Sequence, residues 1–235
     1  MEEWFSSSFY KLLYAHRDDT EAEKFVDILL KYLQLPMGAS ALDAGCGEGR
    51  YARALAKAGL KVDAVDMAPV QPHLPAGVRF FQADLRTWEP DKRYDFIGSF
   101  FTTFGLGAQR WDELVRLMHR FVRWLAPEGW LVIDYLNIYR RNPITHEERE
   151  VEGIHFFIER WQTIFHLHKR ITVTLPSGER KVYEEKVFKL TQGDLAQIAE
   201  RSGLIVEDFW GDYTGAPFQV ERSLRLILLA RKPVS

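Results

Sequence analysis

The stretch that decides the fold is ALDAGCGEGRYARALAKAG, residues 41–59. Gly45, Gly47 and Gly49 fall within five positions, between a short apolar run and an alanine-rich segment. A strand, a glycine loop and a helix in that order form a ligand cradle. The glycines let the backbone approach a bound molecule, and the free amides of a helix start favour a negative group. Dinucleotide-binding enzymes space these glycines as G-x-G-x-x-G around a pyrophosphate. Here the spacing is G-x-G-x-G with acids at Asp43 and Glu48, which disfavours a pyrophosphate and suits a cationic ligand.

Outward from the loop, short apolar runs alternate with helical segments. SALDA (40–44), LKVDAVD (60–66), VRFFQAD (78–84), YDFIGSF (94–100) and WLVIDYL (130–136) read as strands, with helices over about 49–58 and 109–125. On the second helix Trp111, Leu114, Val115, Met118, Phe121, Val122 and Leu125 recur at the spacing of one buried face. Upstream, residues 20–34 form an amphipathic helix with Thr20 and Glu23 in a capping-box pattern and Phe25, Ile28, Leu29, Tyr32 and Leu33 on one face. Strands alternating with helices predict a parallel sheet covered on both sides. After residue 136 the rhythm changes. Residues 154–190 read as antiparallel strands around a Pro176-Ser177-Gly178 turn. Thr191 and Asp194 then open a helix that stops at Gly203, followed by the strands LIVEDFW and SLRLILLARK. Two strands with no helix between them imply that the last runs antiparallel to the rest.

The bulk numbers narrow the function. A length of 235 residues makes one large domain, here 1–136 with 191–235, carrying an insertion at 137–190. With 31 basic against 33 acidic residues there is no broad field to attract nucleic acid. Cys46, the only cysteine, lies in the glycine loop, so no disulfide framework or cysteine metal cluster is expected, and the chain reads as cytoplasmic. No apolar run approaches the roughly 18 residues of a membrane span, and no signal peptide is evident. A homodimer is compatible with this composition.

Two further acids end predicted strands. Asp66 stands where a carboxylate accepts hydrogen bonds from the hydroxyls of an adenosine ribose, and Asp84 where one can accept from an adenine amino group. Together the segments D-x-G-C-G-x-G, V-D-M, A-D-L, Y-D-F-I-G-S-F and L-A-P-E-G-W-L-V-I-D resemble the class I S-adenosylmethionine-dependent methyltransferases. The likeness runs from about residue 40 to 136 and resumes from about 191. It implies a Rossmann-like seven-stranded α/β sheet with an antiparallel last strand, helices on both faces and a small antiparallel β insertion after the fifth strand. It also implies S-adenosylmethionine as cofactor and S-adenosylhomocysteine as product. Asp43, Gly45, Cys46 and Gly47 would line the amino-acid end of the cofactor and Asp66 its ribose. Met67 and Leu85 would sandwich adenine with Asp84 on its amino group, and Phe100 and Phe101 would border the methyl-donor end. Two features depart from the family pattern. Pro69, Pro72 and Pro75 forbid a regular helix between the second and third strands, so that side of the pocket should be a loop. SFFTTFG after the fourth strand is not the D/N-P-P-Y type associated with nucleobase methylation.

Methyl transfer from a sulfonium needs an acceptor held in line with water excluded, and side-chain catalysis can be slight. No general base is identified. Ligands of open parallel sheets bind beyond the carboxyl ends of the strands, which nominates Asn137 and Tyr139 after the fifth strand, and Asp212 and Tyr213 in GDYTGAPF, for the acceptor; both segments also read as ordinary turns. The N-terminal FYKLLYAHRD resembles the cap of small-molecule methyltransferases, where Tyr14 and Arg17 would close over the cofactor; a solvated helix end reads as well. His166 and His168 share one strand face without an evident third ligand, so no metal is expected, and Trp161, Phe165 and Tyr183 are expected to pack the insertion against the sheet. The expected reaction is methylation of oxygen or nitrogen on a small-molecule acceptor. A nicotinamide-dependent oxidoreductase and a non-catalytic cofactor-binding protein are the alternatives.

Overall fold

The computed structural model describes residues 2–15, 19–69, 73–140 and 144–234. Two short helices, α1 (Glu2–Phe5) and α2 (Ser8–Leu13), precede α3 (Asp19–Leu33), β1 (Ser40–Ala44), α4 (Arg50–Lys57), β2 (Lys61–Asp66), β3 (Arg79–Gln82) and β4 (Tyr94–Ser99). Then follow α5 (Trp111–Trp124), β5 (Leu125–Leu136), and four strands, β6 (Ile144–Val151), β7 (Ile154–Gln162), β8 (His166–Thr174) and β9 (Arg180–Phe188). The chain ends with α6 (Gln192–Arg201), β10 (Ile205–Trp210) and β11 (Arg225–Arg231).

One sheet has seven strands in the order β10-β11-β5-β4-β1-β2-β3. All neighbours pair in parallel except β11, which is antiparallel to both β5 and β10. Strand alternation divides the core. Ala41, Val62, Ala64, Phe96, Val132, Ile227 and Leu229 pack with α3 and α4, while Leu42, Ala44, Val65, Ile97, Leu131, Ile133, Leu226 and Leu228 pack with α5 and α6. The sheet is thus buried on both faces, as parallel sheets are. Its edges are modified: β3 has four residues and carries Arg79, whose guanidinium forks onto Asp63 and Asp91, and β10 is bulged between Val206 and Asp208.

Several local details refine the sequence reading. Helix α3 already includes Asp19, so Thr20 is inside it rather than capping it. The capping box at Thr191 and Asp194 does form, each side chain accepting from the other's backbone amide. Among the described residues no helix follows β2; they form bends and a turn around Pro69 and Pro75, as the prolines dictate. Strand β5 begins at Leu125, earlier than the apolar run, with its register against β4 shifted across residues 126–129.

Strands β6 to β9 form a separate antiparallel sheet in simple meander order. Only β7 to β9 were visible as strands in the sequence. The inner face of this sheet carries Phe156, Ile158, Ile171 and Val173, which bury Trp4 and Leu13 of the N-terminal helices, with Tyr183 against Trp4 at 5.0 Å between centroids. Tyr183 therefore packs the N-terminal helices and not the large sheet, which corrects the expectation for that residue. Phe165 is 61% exposed and closes no core. The second sheet is tied to the first by Tyr135, buried on β5, whose hydroxyl donates to the Phe188 carbonyl at 2.5 Å. Tyr135→Phe deletes only that donor and leaves a buried carbonyl unsatisfied. A loss of about 1–3 kcal/mol is expected, read as a lower midpoint in urea denaturation.

Candidate active site

The carboxyl ends of the parallel strands converge on a cavity of about 1370 Å³. The loop after β1 forms its floor. Gly45, at φ +86°, and Cys46 both donate their amides to the Val65 carbonyl, at 2.8 and 3.0 Å, which folds the loop back onto β2. A Cβ on Gly45 would meet the Thr103 side chain at 2.1 Å, so glycine is required twice over, by conformation and by space. Gly49, at φ +78°, starts α4 without a side-chain cap.

Three acids stand at the rim. Asp43 is 1% exposed and neither carboxylate oxygen has a partner among the described residues. Burial, reinforced by the Asp66 charge, pushes its carboxyl up to about 7 despite Arg50 and Arg53 nearby. Asp66 accepts from the amides of Gly47 at 2.7 Å and Ala68 at 2.8 Å, which fixes its plane and leaves its outer lone pairs toward the cavity. Asp84 also lines the cavity but is forked by its neighbour Arg86, which holds its carboxyl below the ordinary carboxylate value. Burial and the charges of Asp43 and Asp66 push the Cys46 thiol up, so Cys46 is a packing wall and not a nucleophile.

The loop after β4 is held from below. Phe101 and Thr102 both have positive φ, 52° and 68°, a strained pair for non-glycine residues. Their amides are fixed by one residue: Phe101 N donates to the Asp134 carboxylate at 2.8 Å and Thr102 N to the Asp134 carbonyl at 2.8 Å. Asp134 is fully buried and also receives Arg225 Nε at 2.7 Å and the Tyr213 hydroxyl at 2.9 Å. Burial, and then the Asp134 charge, push the Tyr213 phenol up, so it stays protonated and donates. Phe100 turns inward and stacks on Tyr51 at 3.9 Å, while Phe101 lies between Arg50 and Arg225 on the cavity wall.

The second sheet and the N-terminal helices roof the cavity. Register aligns Thr145, Arg160, Lys169 and Glu185 across β6 to β9 on the face that turns to the rim. Tyr14 joins this row, its hydroxyl accepting from Lys169 Nζ. Arg17 lies outside the described residues. Alternation places Trp161, His166 and His168 on the opposite face, where Trp161 stacks on His168 at 5.0 Å; Trp161 and His168 also line the cavity. His166 bonds the Ala108 carbonyl, and no group of three metal-ligating side chains occurs among the described residues.

The acceptor candidates sit differently from the sequence reading. The Asn137 amide is consumed by the Val220 and Ser223 carbonyls and its oxygen by Tyr139 N, which ties the loop after β10 to the end of β5. Asp212 closes a local turn on Thr214, and Tyr213 serves Asp134. Tyr139 is 59% exposed. None of these four lines the cavity, because the loops that follow β5 and β10 fold onto each other rather than over the rim. The residues that do, Asp134's partner Arg225 and the row on the roof, were missed. Asp134 and Arg225 were signalled by lone charges inside otherwise apolar strands.

A model of the methyltransferase domain matches residues 14–208. The chain belongs to the methyltransferase domain family. Among curated relatives, the cypemycin N-terminal methyltransferase of a Streptomyces species is 27% identical over 207 residues, 83% of this chain and 84% of that protein. Among solved structures, the CcbJ methyltransferase of Streptomyces caelestis superposes with a TM-score of 0.81 at 17% identity, covering 99% of both chains. An S-adenosylmethionine-dependent methyltransferase of Clostridium acetobutylicum superposes with a TM-score of 0.80 at 15% identity, covering 96% of both.

The fold is shared with an amino pentose methyltransferase solved with S-adenosylmethionine bound and with an N1-methyltransferase of Burkholderia thailandensis solved with S-adenosylhomocysteine bound. The residues present fit S-adenosylmethionine. The unpartnered Asp43 carboxylate suits a cationic amino-acid end, the oriented Asp66 carboxylate suits ribose hydroxyls, and the glycine loop leaves room for close approach. Met67, 39% exposed, and Leu85 both line the cavity. Asp66→Ala is expected to weaken cofactor binding by about 2–4 kcal/mol, since two charge-assisted bonds at about 1.5–3 kcal/mol each are lost; calorimetry measures it. Asp43 gives a pH signature. Its folded carboxyl titrates near 7, above the unfolded value, so it contributes destabilisation that sets in as pH rises from about 4 to 7. A bound cation favours the ionised form, so cofactor affinity should rise between pH 6 and 8. Asp43→Asn should flatten that rise in calorimetric titrations.

Proposed function

We propose that the protein transfers the methyl group of S-adenosylmethionine to a nitrogen or oxygen of a small-molecule acceptor, with an amine nitrogen as the preferred atom. The observation that carries this reading is the size of the cavity at the carboxyl ends of the strands. Its volume of about 1370 Å³ exceeds the roughly 300–1,000 Å³ of a single-ligand pocket, leaving room for an acceptor beside the cofactor. Its roof carries the polar row of Thr145, Arg160, Lys169 and Glu185 with Glu147 and Arg149 beside it, and the apolar part of that sheet face is buried under α1 and α2. Such a chamber suits a small molecule rather than a duplex or a folded protein surface.

The preference for nitrogen draws on relatives. The cypemycin enzyme is named for an N-terminus, and the fold is shared with an amino pentose methyltransferase of Micromonospora echinaspora. Bound in the cavity, S-adenosylmethionine supplies an electrophilic methyl group. The chain's share is to hold the acceptor in line and exclude water, which can account for about 7–11 kcal/mol of a barrier. Tyr14 and the strand row supply the orientation, and Phe101 with Tyr10 and Phe5 supplies apolar surface that keeps water out.

The test is release of S-adenosylhomocysteine in a broad screen of amines and hydroxyl compounds. At least one acceptor is expected to raise it well above the acceptor-free rate. A protein that binds the cofactor yet shows no acceptor-dependent release across the screen would refute the reading.

A further inference from the structure

On the roof, the pair of Lys169 and Glu185 leaves part of its hydrogen-bonding capacity unused among the described residues. Lys169 Nζ and Glu185 Oε1 are 3.0 Å apart on neighbouring strands, with side chains 15% and 17% exposed. Glu185 Oε1 also accepts from the Trp4 indole at 2.6 Å, so both bonds to this carboxylate fall on one oxygen. Oε2 has no partner among the described residues. Lys169 donates to Tyr14 and to Glu185, which uses two of its three hydrogens. Among the described residues an acceptor and a donor are therefore left over on the cavity wall.

Anchoring the N-terminal segment uses Glu185 Oε1, through Trp4, and one Lys169 hydrogen, through Tyr14, and leaves the rest of the pair's capacity without a structural use among the described residues. In the next rows on the same face the central residues Ile158, Ile171, Tyr183, Phe156 and Val173 are apolar or aromatic and bury the N-terminal helices, while the charges, Glu147, Arg149 and Lys181, stand on the outer strands β6 and β9. A buried ion pair is commonly neutral or unfavourable for stability relative to an apolar pair of similar size. Its place one row nearer the rim, at the boundary of the chamber, favours a ligand role.

We infer that Lys169 and Glu185 read the acceptor, and that they read an amine with an oxygen on the adjacent carbon. The amine donates to Glu185 Oε2 while the neighbouring oxygen accepts from Lys169 Nζ. An α-amino carbonyl group and a vicinal amino alcohol both present this pattern. The inference rests on the proposed amine acceptor and names the residues that select it.

The test uses trialanine, N-acetyl-trialanine, glucosamine, n-hexylamine and phenol as acceptors, with turnover read as S-adenosylhomocysteine and binding read by calorimetry with S-adenosylhomocysteine present. Trialanine or glucosamine should exceed n-hexylamine at least tenfold in kcat/KM, and N-acetyl-trialanine should be inert. Which of the two is preferred assigns the carbonyl or the alcohol form. Glu185→Gln keeps an oxygen for Trp4 and Lys169 but loses the charge. It should raise the acceptor KM at least tenfold, with cofactor affinity and melting temperature nearly unchanged, and Lys169→Met should erase the advantage over n-hexylamine. Turnover of phenol or n-hexylamine in preference leaves methyl transfer standing and overturns this inference. So does an unchanged KM in Glu185→Gln, or a loss that merely tracks a lower melting temperature, which marks a tether for Trp4. Absence of both turnover and binding heat with all five compounds likewise overturns it, whereas the methyl-transfer reading falls only on the broad screen.

Discussion

The buried carboxylate of Asp134 is the constraint on which the rest of the site depends. It lies on β5, has no access to water, and engages three separate elements: the loop after β4 through Phe101 N, the last strand through Arg225, and the loop after β10 through Tyr213. A charge so deep needs its partners, because removing one leaves an uncompensated ion at a cost of about 3–5 kcal/mol. That dependence runs both ways. The positive-φ turn at Phe101 and Thr102 persists because Asp134 fills its amides from below, and Phe101 faces the cavity for the same reason. The cavity wall at Phe101 is thus set by electrostatics in the sheet rather than by the loop's own preferences.

Above that wall, the roof divides one sheet face into two uses. Its apolar rows hold α1 and α2 through Trp4 and Leu13, and its polar row faces the chamber. Trp4 bridges the two, since its ring is in the small core while its indole N–H reaches Glu185. The position of the N-terminal helices and the orientation of the polar row are consequently coupled. Tyr135 completes the link by fixing the end of β9 to the large sheet.

How much of this the sequence discloses depends on which interaction encodes it. The parallel strands were legible because strands buried on both faces read as apolar runs, and α5 because its buried face repeats at helical spacing. The glycine loop and Asp66 were legible because they are local. Strand β6, ITHEEREV, was not: one face meets the polar chamber and the other meets solvent, so no hydrophobic period marks it. The row of Arg160, Lys169 and Glu185 was invisible for another reason. It exists only through strand register, which turn lengths and pairing decide. Asn137 and Asp212 misled because a polar residue after a strand looks the same whether it meets a ligand or closes a turn.

The sheet edges described above bear on how copies of the chain can meet. An open edge is a template for strand addition, and each edge here carries an obstacle. β3 is short and has a forked Arg79, β10 is kinked by its bulge, β6 presents alternating charges on its exposed positions, and β9 carries Arg180, Lys181, Glu184 and Lys186. Continuation of either sheet into a neighbouring molecule is disfavoured by shape at one pair of edges and by charge at the other. Self-association that preserves the fold would therefore have to proceed through side-chain surfaces, and the cavity, lying between two sheets with guarded edges, is shielded from the commonest route to aggregation.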